Sequence, residues 1–402
     1  MKKTQTWLAV LIAGIGLIGA AVMGVFAYLS LTAVPIHPSA QEVTSVPAST
    51  PARKWTEAVE RGREIVRTSV IEQNLPGVSV AVGAEGEAVW AEGFGWADVE
   101  NKVPVGPQTR FKLGTASTVL TSAAVGLLLE KRSLQLDDVI QMHVSAYPEK
   151  KWPVTLRQLM GHLAGIPSDG GDEGPFRSEH CDRPVEGLRL FADDPLRFQP
   201  GTEYRYSNYG WILVSAAVES AAGEPFDTFM QTQVFAPLGM DDTMADSAAD
   251  TVADRAMAYF PNAGDPRYGT DGGPRRTDYS CYAGGAAFLS TPSDLVRFGI
   301  GINGGKLLQP ATVDVLQTSQ RTSSGTETGY GLGWDLETVT LGGESTTVVG
   351  HDGDWMGGQI ASLLTFRKRG IVVAVTSNVA YADTYGIGMK LAQAFAEQGK
   401  SR

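Results

Sequence analysis

Positive charge is scarce in this sequence: 33 lysines and arginines stand against 44 acidic residues, a formal net charge of −11. That balance argues against nucleic acid or an anionic membrane surface as the main partner, and its plain meaning is solubility. Cysteine is almost absent. Cys181 and Cys281 are the only two, so no thiol lies near the N-terminus to accept a lipid. In an oxidising compartment they could pair, closing about 100 residues and contributing roughly 4 to 5 kcal/mol on the chain-entropy view; two separate buried thiols are the other reading. His180-Cys181-Asp182 is too compact for a complete metal site and lacks partners at ligand spacing, so neither metal nor other cofactor is expected. No internal repeat is present.

Charge vanishes altogether between Trp7 and Leu31. As a helix that run would span roughly 37 Å, more than the roughly 30 Å of a hydrocarbon core, so residues 1–33 read as a cytoplasmic tip and one transmembrane helix. Lys2 and Lys3 precede it and Arg53 is the next Lys or Arg, which puts the N-terminus in the cytoplasm and the main domain outside, periplasmic or extracellular. The run is longer than a signal-peptide core and no small-x-small cleavage site follows, which favours an uncleaved anchor over a cleaved signal. Residues 34–53, rich in Pro, Ser, Thr and Ala, read as an extended tether. Residues 54–402 read as one domain; 43% hydrophobic residues and 47 glycines suit a large core with many turns.

Within the domain, apolar spacing predicts an opening helix over 54–74, then a hairpin of 77–83 and 87–93. Phe111 to Glu130 reads as a turn at Gly114 entering a helix apolar nearly all round, as a central helix would be. Thr155 is a plausible cap for a helix ending at Met160, and 161–174 is loop. Trp211 to Ala221 looks like a second buried helix, 262–277 like a surface loop, and Thr291-Pro292 like another helix start. Segments 331–334, 346–349, 359–366 and 370–376 read as successive antiparallel strands before a final helix over 385–397. The expected class is α/β of the α+β type: an antiparallel sheet from both chain ends, flanked by helices, with a mostly helical region inserted.

Three short segments carry side chains suited to chemistry. The turn at Thr115 could hold a hydroxyl at a helix start, although a capping role for Thr115 is the plainer reading. Tyr206-Ser207-Asn208 could project a phenol and an amide into one cleft, or be a satisfied pair that pins the next helix. His351-Asp352-Gly353 follows a strand, where the glycine would admit a ligand close to the backbone; His351 is equally readable as a hydrogen-bonded wall residue. His162 reads as structural, holding the loop after Gly161.

From about Lys54 onward the sequence resembles the serine β-lactamase-like family of class C β-lactamases, DD-peptidases and related esterases. The matching pieces are Phe111-Lys-Leu-Gly114, Val154 to His162 with Gly165-Ile166, Pro200-Gly201 with Tyr206-Ser-Asn208, Ala283-Gly-Gly285 with Leu289-Ser-Thr291 and Asp294-Leu295, Gly329-Tyr-Gly-Leu-Gly-Trp334, and His351-x-Gly353. The resemblance implies a Ser-x-x-Lys nucleophile and base, a Tyr-x-Asn acid/base and amide contact, and a His-x-Gly wall. Tyr206, Asn208, His351 and Gly353 match, with Asp354 beside them on the substrate-binding wall. Thr115 stands where the serine is expected and Thr118 where the lysine is expected.

That double replacement matters because an aliphatic hydroxyl attacks poorly until a base takes its proton, and Thr118 cannot accept one at neutral pH. Hydrolases that lose nucleophile or base fall by roughly 10⁶ in turnover, about 8 kcal/mol of barrier. The expectation is a non-catalytic or strongly impaired homologue binding a small acyl, peptide or cell-wall ligand. The alternative is an active acyl hydrolase in which Thr115 attacks with Tyr206 as base, helped by Lys112 or His351.

Overall fold

The computed structural model describes residues 2–167, 179–246, 252–271, 278–355 and 358–400, apart from the side chains of 2–11, 354–355 and 400. The loop expected over 161–174 therefore lies partly outside the described residues, as does the end of the loop over 262–277. The main sheet has eight strands: Ser45–Pro47 (β1), Gly77–Ala84 (β2), Glu87–Asp98 (β3), Val103–Pro104 (β4), Asp335–Leu341 (β5), Glu344–Trp355 (β6), Gln359–Phe366 (β7) and Ile371–Ser377 (β8). Their order is β1-β3-β2-β8-β7-β6-β5, with β4 also on β3, and every ladder is antiparallel. The hairpin near the N-terminus thus joins the C-terminal strands through β2 and β8, where Val80 sits opposite Val375. This is the mixed architecture expected of strands at both chain ends.

β2, β7 and β8 are buried along their whole length, because both faces of the sheet are covered. Thr56–Glu72 (α2) and Thr384–Lys400 (α7) cover one face, where Trp55, Val59, Val66, Leu391 and Phe395 pack against Val80, Val82, Val373 and Val375. Pro292–Asn303 (α6) lies on the other face, capped by Thr291 with Pro292 at its first position as predicted. Beyond it sits the inserted helical region. Ser117–Glu130 (α3), Leu156–Met160 (α4) and Asn208–Ala222 (α5) share one core with Trp211, Phe226, Phe288 and Trp334. Thr155 caps α4 as expected, and Gln158 completes a capping box with it.

Gly331–Trp334 is a turn, not a strand; the Gly331 amide donates to Trp334 O at 2.7 Å. Gly333, at φ +94°, comes so close to Trp211 that an added Cβ would sit 2.6 Å from its ring, a fit no strand side chain allows. The strand starts one residue later, at the largely exposed sheet edge β5, whose mixed polar sequence hid it.

Lys2–Thr32 (α1) is one helix, and its Ile12–Thr32 portion is long and apolar enough to cross a membrane, with mean hydropathy 2.1. The segment expected as a free tether instead lies against the domain from Ile36 to Ala48, and β1 pairs with β3 at Phe94, Gly93 and Glu92. Its composition favours extended backbone, and an extended backbone beside an unpaired sheet edge gains a ladder of hydrogen bonds.

Cys181 and Cys281 are joined as a disulfide, Cα atoms 4.8 Å apart. Cys281→Ser should lower unfolding stability by roughly 4 kcal/mol, read as a reduced urea midpoint; an unchanged midpoint would remove the cross-link from the stability account.

Candidate functional site

The first wall of the site is the turn Gly114–Ala116 running into α3. Gly114 takes φ +54°, which lets the short strand Phe111–Lys112 reverse into the helix. Thr115 is 7% exposed and Thr118 fully buried. Thr115 does not cap the helix, which has no side-chain cap. Its Oγ1 donates instead to the Asp352 carbonyl at 3.1 Å, because the facing strand offers an acceptor. Thr118 Oγ1 donates to Thr115 O at 2.9 Å, with Gly333 O at 3.4 Å. Further along α3, Thr121 Oγ1 donates to Gly284 O at 2.8 Å and Ser122 Oγ to Leu332 O at 2.7 Å. The hydroxyls of this buried helix hold the surrounding loops in place.

The second wall is β6. Gly353 meets the turn so closely that a Cβ there would lie 1.8 Å from Leu113 O and 2.7 Å from Ala116 N. His351, two residues earlier, shares that face by strand alternation. Its Nδ1 donates to Asp352 O at 2.7 Å, leaving Nε2 to accept from the Tyr330 hydroxyl at 3.1 Å. Tyr330 is buried. Hydrogen bonds therefore tie Tyr330 to His351, and His351 and the Thr115 hydroxyl to the same carbonyl of the strand. Burial, then Tyr206 and Asp335, pushes the Tyr330 phenol well above its usual range.

The third piece is the start of α5. Ser207 donates its amide to His162 Nδ1 at 3.1 Å and its hydroxyl to Pro167 O at 2.8 Å. The His162 ring lies 4.0 Å from Tyr206 and 4.7 Å from Tyr330, centre to centre, and Tyr206 lies 6.3 Å from His351. His162 does hold this loop, as its sequence position suggested, from a backbone at φ +56°. Because Nδ1 accepts, its hydrogen is on Nε2; burial and the His351 ring push its pKa well below the ordinary value, so it stays neutral. His162 Nε2, Asn208 Oδ1 and Trp211 Nε1 are buried and have no hydrogen-bond partner among the described residues.

The structure thus sets the Thr115 turn against the strand of His351 and Gly353, with Thr118 behind it on Thr115 O, and Tyr206 reaches His351 through a ring contact. Asn208 opens α5 and is buried. Asp354 continues β6, but its side chain lies outside the described residues. Lys112, the candidate helper base, is buried with its ammonium 3.0 Å from Asp246 and 4.4 Å above the Tyr279 ring. Desolvation lowers its pKa and Asp246 opposes that shift. Sequence reasoning gave Tyr330 no role, although the glycine-flanked run Gly329–Trp334 was its signal. Among the described residues no group of three His, Cys, Asp or Glu could hold a metal ion. His180 bridges Asp278 at 2.9 Å and Asp182 at 3.1 Å.

Solved structures define the class first. The D-amino acid amidase of Ochrobactrum anthropi SV3, complexed with L-phenylalanine amide, superposes with TM-score 0.71 and 22% identity over 86% of this chain and 100% of that one. FmtA of Staphylococcus aureus does so with TM-score 0.70 and 18% identity over 88% and 91%. At those identities the likeness is one of fold alone, the penicillin-binding-protein-like fold. The chain belongs to the beta-lactamase family, whose sequence model matches residues 59–398. Among curated relatives, the mouse mitochondrial serine beta-lactamase-like protein LACTB is 30% identical over 327 residues, 63% of this chain and 58% of the relative. Penicillin-binding protein 4* of Bacillus subtilis is 25% identical over 289 residues, 69% and 63%. The match therefore spans less than two thirds of these relatives' own length.

Asp352 turns its carboxyl to the other face of β6, into a cavity of about 300 Å³ shared with Asp335, Glu337 and Tyr385. Loss of water around the carboxyl group raises its pKa to about 6, with Asp335 and Asp383 adding and Ser362 and His351 opposing, although the residue as a whole stays exposed. A raised folded pKa means stability present below the unfolded value of about 3.9 is lost as pH rises through about 6. Asp352→Asn should remove that loss and stabilise the protein at pH 8 by up to about 1 kcal/mol, since water in the cavity screens the effect. Parallel urea melts at pH 4 and pH 8 check it. Gly353→Ala should destabilise by roughly 3 kcal/mol in the same measurement, because backbone, not a flexible side chain, blocks the added methyl.

Proposed function

We propose that this is a membrane-anchored, extracytoplasmic beta-lactamase-family domain that binds a small acyl, peptide or cell-wall ligand in its cleft without ordinary acyl-enzyme chemistry. The observation that carries the reading is the fate of the two replaced hydroxyls. Thr115 donates to Asp352 O and Thr118 to Thr115 O, so the position of the expected amine base holds a neutral hydroxyl that already serves the backbone. A hydroxyl of that kind does not accept a proton at neutral pH. The remaining cations and rings nearby do not supply the deficit. Lys112 is engaged by Asp246, and the lone pair of His351 is engaged by Tyr330.

Binding is supported by what the cleft keeps. The Tyr206 ring stands 6.3 Å from that of His351, centre to centre, and the unmet hydrogen-bonding atoms of Asn208, His162 and Trp211 offer capacity that a bound ligand or water would take up. The extracytoplasmic side is favoured by Lys2 and Lys3 before the apolar helix and by the disulfide.

Incubation with a fluorophosphonate or a labelled penicillin should leave Thr115 unmodified by mass spectrometry; a stoichiometric adduct there would overturn the reading in favour of an active Thr115 hydrolase. Thr115→Ser combined with Thr118→Lys should raise ester turnover at least about 100-fold, toward the roughly 10⁶ that such groups supply. A natural protein that already turns over esters, and loses that with Tyr206→Phe, would also overturn it.

A further inference from the structure

The stretch between helix α1 and the domain is rich in proline and serine, yet almost none of it is free. The Ile36 amide donates to Asn74 Oδ1 at 2.8 Å. His37 is 4% exposed, stacks on Trp96 at 6.3 Å between ring centres, and its Nε2 lies 3.0 Å from Pro76 O. Val43 is buried at 2% exposure. The Gly95 amide donates to Thr44 O at 2.9 Å, the Arg67 guanidinium to Ser45 Oγ at 3.0 Å, and the Ala48 amide to Ala91 O at 2.9 Å. At the other end, the Ala33 amide still donates to Leu29 O at 2.9 Å, as a helix residue would.

The slack between the apolar helix and the first fixed point of the domain is therefore the few residues from Ala33 to Ile36. Extended chain covers at most about 3.6 Å per residue, so the domain can stand no further than about 14 Å from the end of the helix. A free tether over residues 34–53 would have allowed roughly 70 Å. A contact within the helix agrees: Phe26, inside the apolar run, packs its ring 5.5 Å from that of Tyr268 on the domain, and tyrosine is a residue of membrane–water interfaces.

We propose that residues 36–48 are a strap that holds the domain directly against the bilayer, and that the surface around Asn74 and Tyr268 faces its headgroups. The inference rests on the anchor reading above. The partner is a zwitterionic lipid surface, since the chain's net charge of −11 disfavours an anionic one. Five strand spacings of about 4.8 Å separate β1 from β6, so the strap keeps the cleft within roughly 40 Å of the membrane. The ligands it meets are then those attached to or lying at the bilayer.

The test uses the full chain in phosphatidylcholine vesicles, with a donor dye at Ser324→Cys and an acceptor on the lipid headgroup. Inserting twenty Gly and Ser residues between Ala33 and Val34 adds about 25 Å of random-coil slack while leaving the strap intact. Energy transfer should be high in the natural chain and fall at least 2-fold in the insertion variant. Equal transfer in the two would overturn the proposal. Hydrogen exchange gives an independent check: the Ile36, Ala48 and Gly95 amides should be protected, and His37→Ala should speed exchange at Ile36 and Gly95 at least tenfold. Exchange of these amides at unfolded-chain rates in the natural protein would also overturn it. Carbonate extraction separates the two readings. Protein released from the vesicles defeats the anchor itself, whereas retained protein with low transfer or unprotected amides defeats the strap alone.

Discussion

β6 and the turn before α3 are in backbone contact at Gly353, with no room for a side chain between them. The rest of the cleft is referred to that contact. It sets the Asp352 carbonyl where both Thr115 Oγ1 and His351 Nδ1 donate to it, and it fixes His351 opposite Tyr330. An interior packed at crystal-like density transmits such a constraint without slack. The sheet, assembled from both chain ends, thereby positions the inserted helical region, and the helix answers with its hydroxyls.

Those hydroxyls change the electrical character of the site. An amine base beside the helix start would bring a titratable positive charge into a buried space and force its neighbours to adapt. Here Thr118, Tyr330 and His162 are all neutral near pH 7. A neutral, hydrogen-bonded interior is easy to bury and hard to use for proton transfer. Uncharged polar groups with defined geometry suit recognition by shape and hydrogen bonding.

Much of this was legible in the sequence. The apolar run after Thr118 announced a central helix, Thr155 and Thr291 announced helix starts, and the β-branched runs after Gln359 and Gly370 announced buried strands, because each signal is local. The approach of the Thr115 turn and Tyr206 to His351 and Gly353 was legible only through family resemblance, since no spacing in the chain brings position 115 to position 351. Three things were not legible. Which acceptor a threonine hydroxyl finds depends on a strand more than 230 residues away. Whether a Pro- and Ser-rich segment swings free depends on an open sheet edge it happens to reach. The phenol of Tyr330 lay inside a glycine-rich run that reads as backbone geometry, and its polar reach shows only when Thr118 and His351 stand beside it.

The pairing of β1 with β3 bears on how the domain behaves once cut from its membrane helix. A fragment beginning at Lys54 would lack β1 and leave the backbone amides and carbonyls around Gly93 open to solvent at the end of a sheet. Such an edge is a template for a strand from another molecule. Fragments trimmed to the family-matched region would be expected to associate through it, and a soluble form that stays monomeric should begin no later than Ile36.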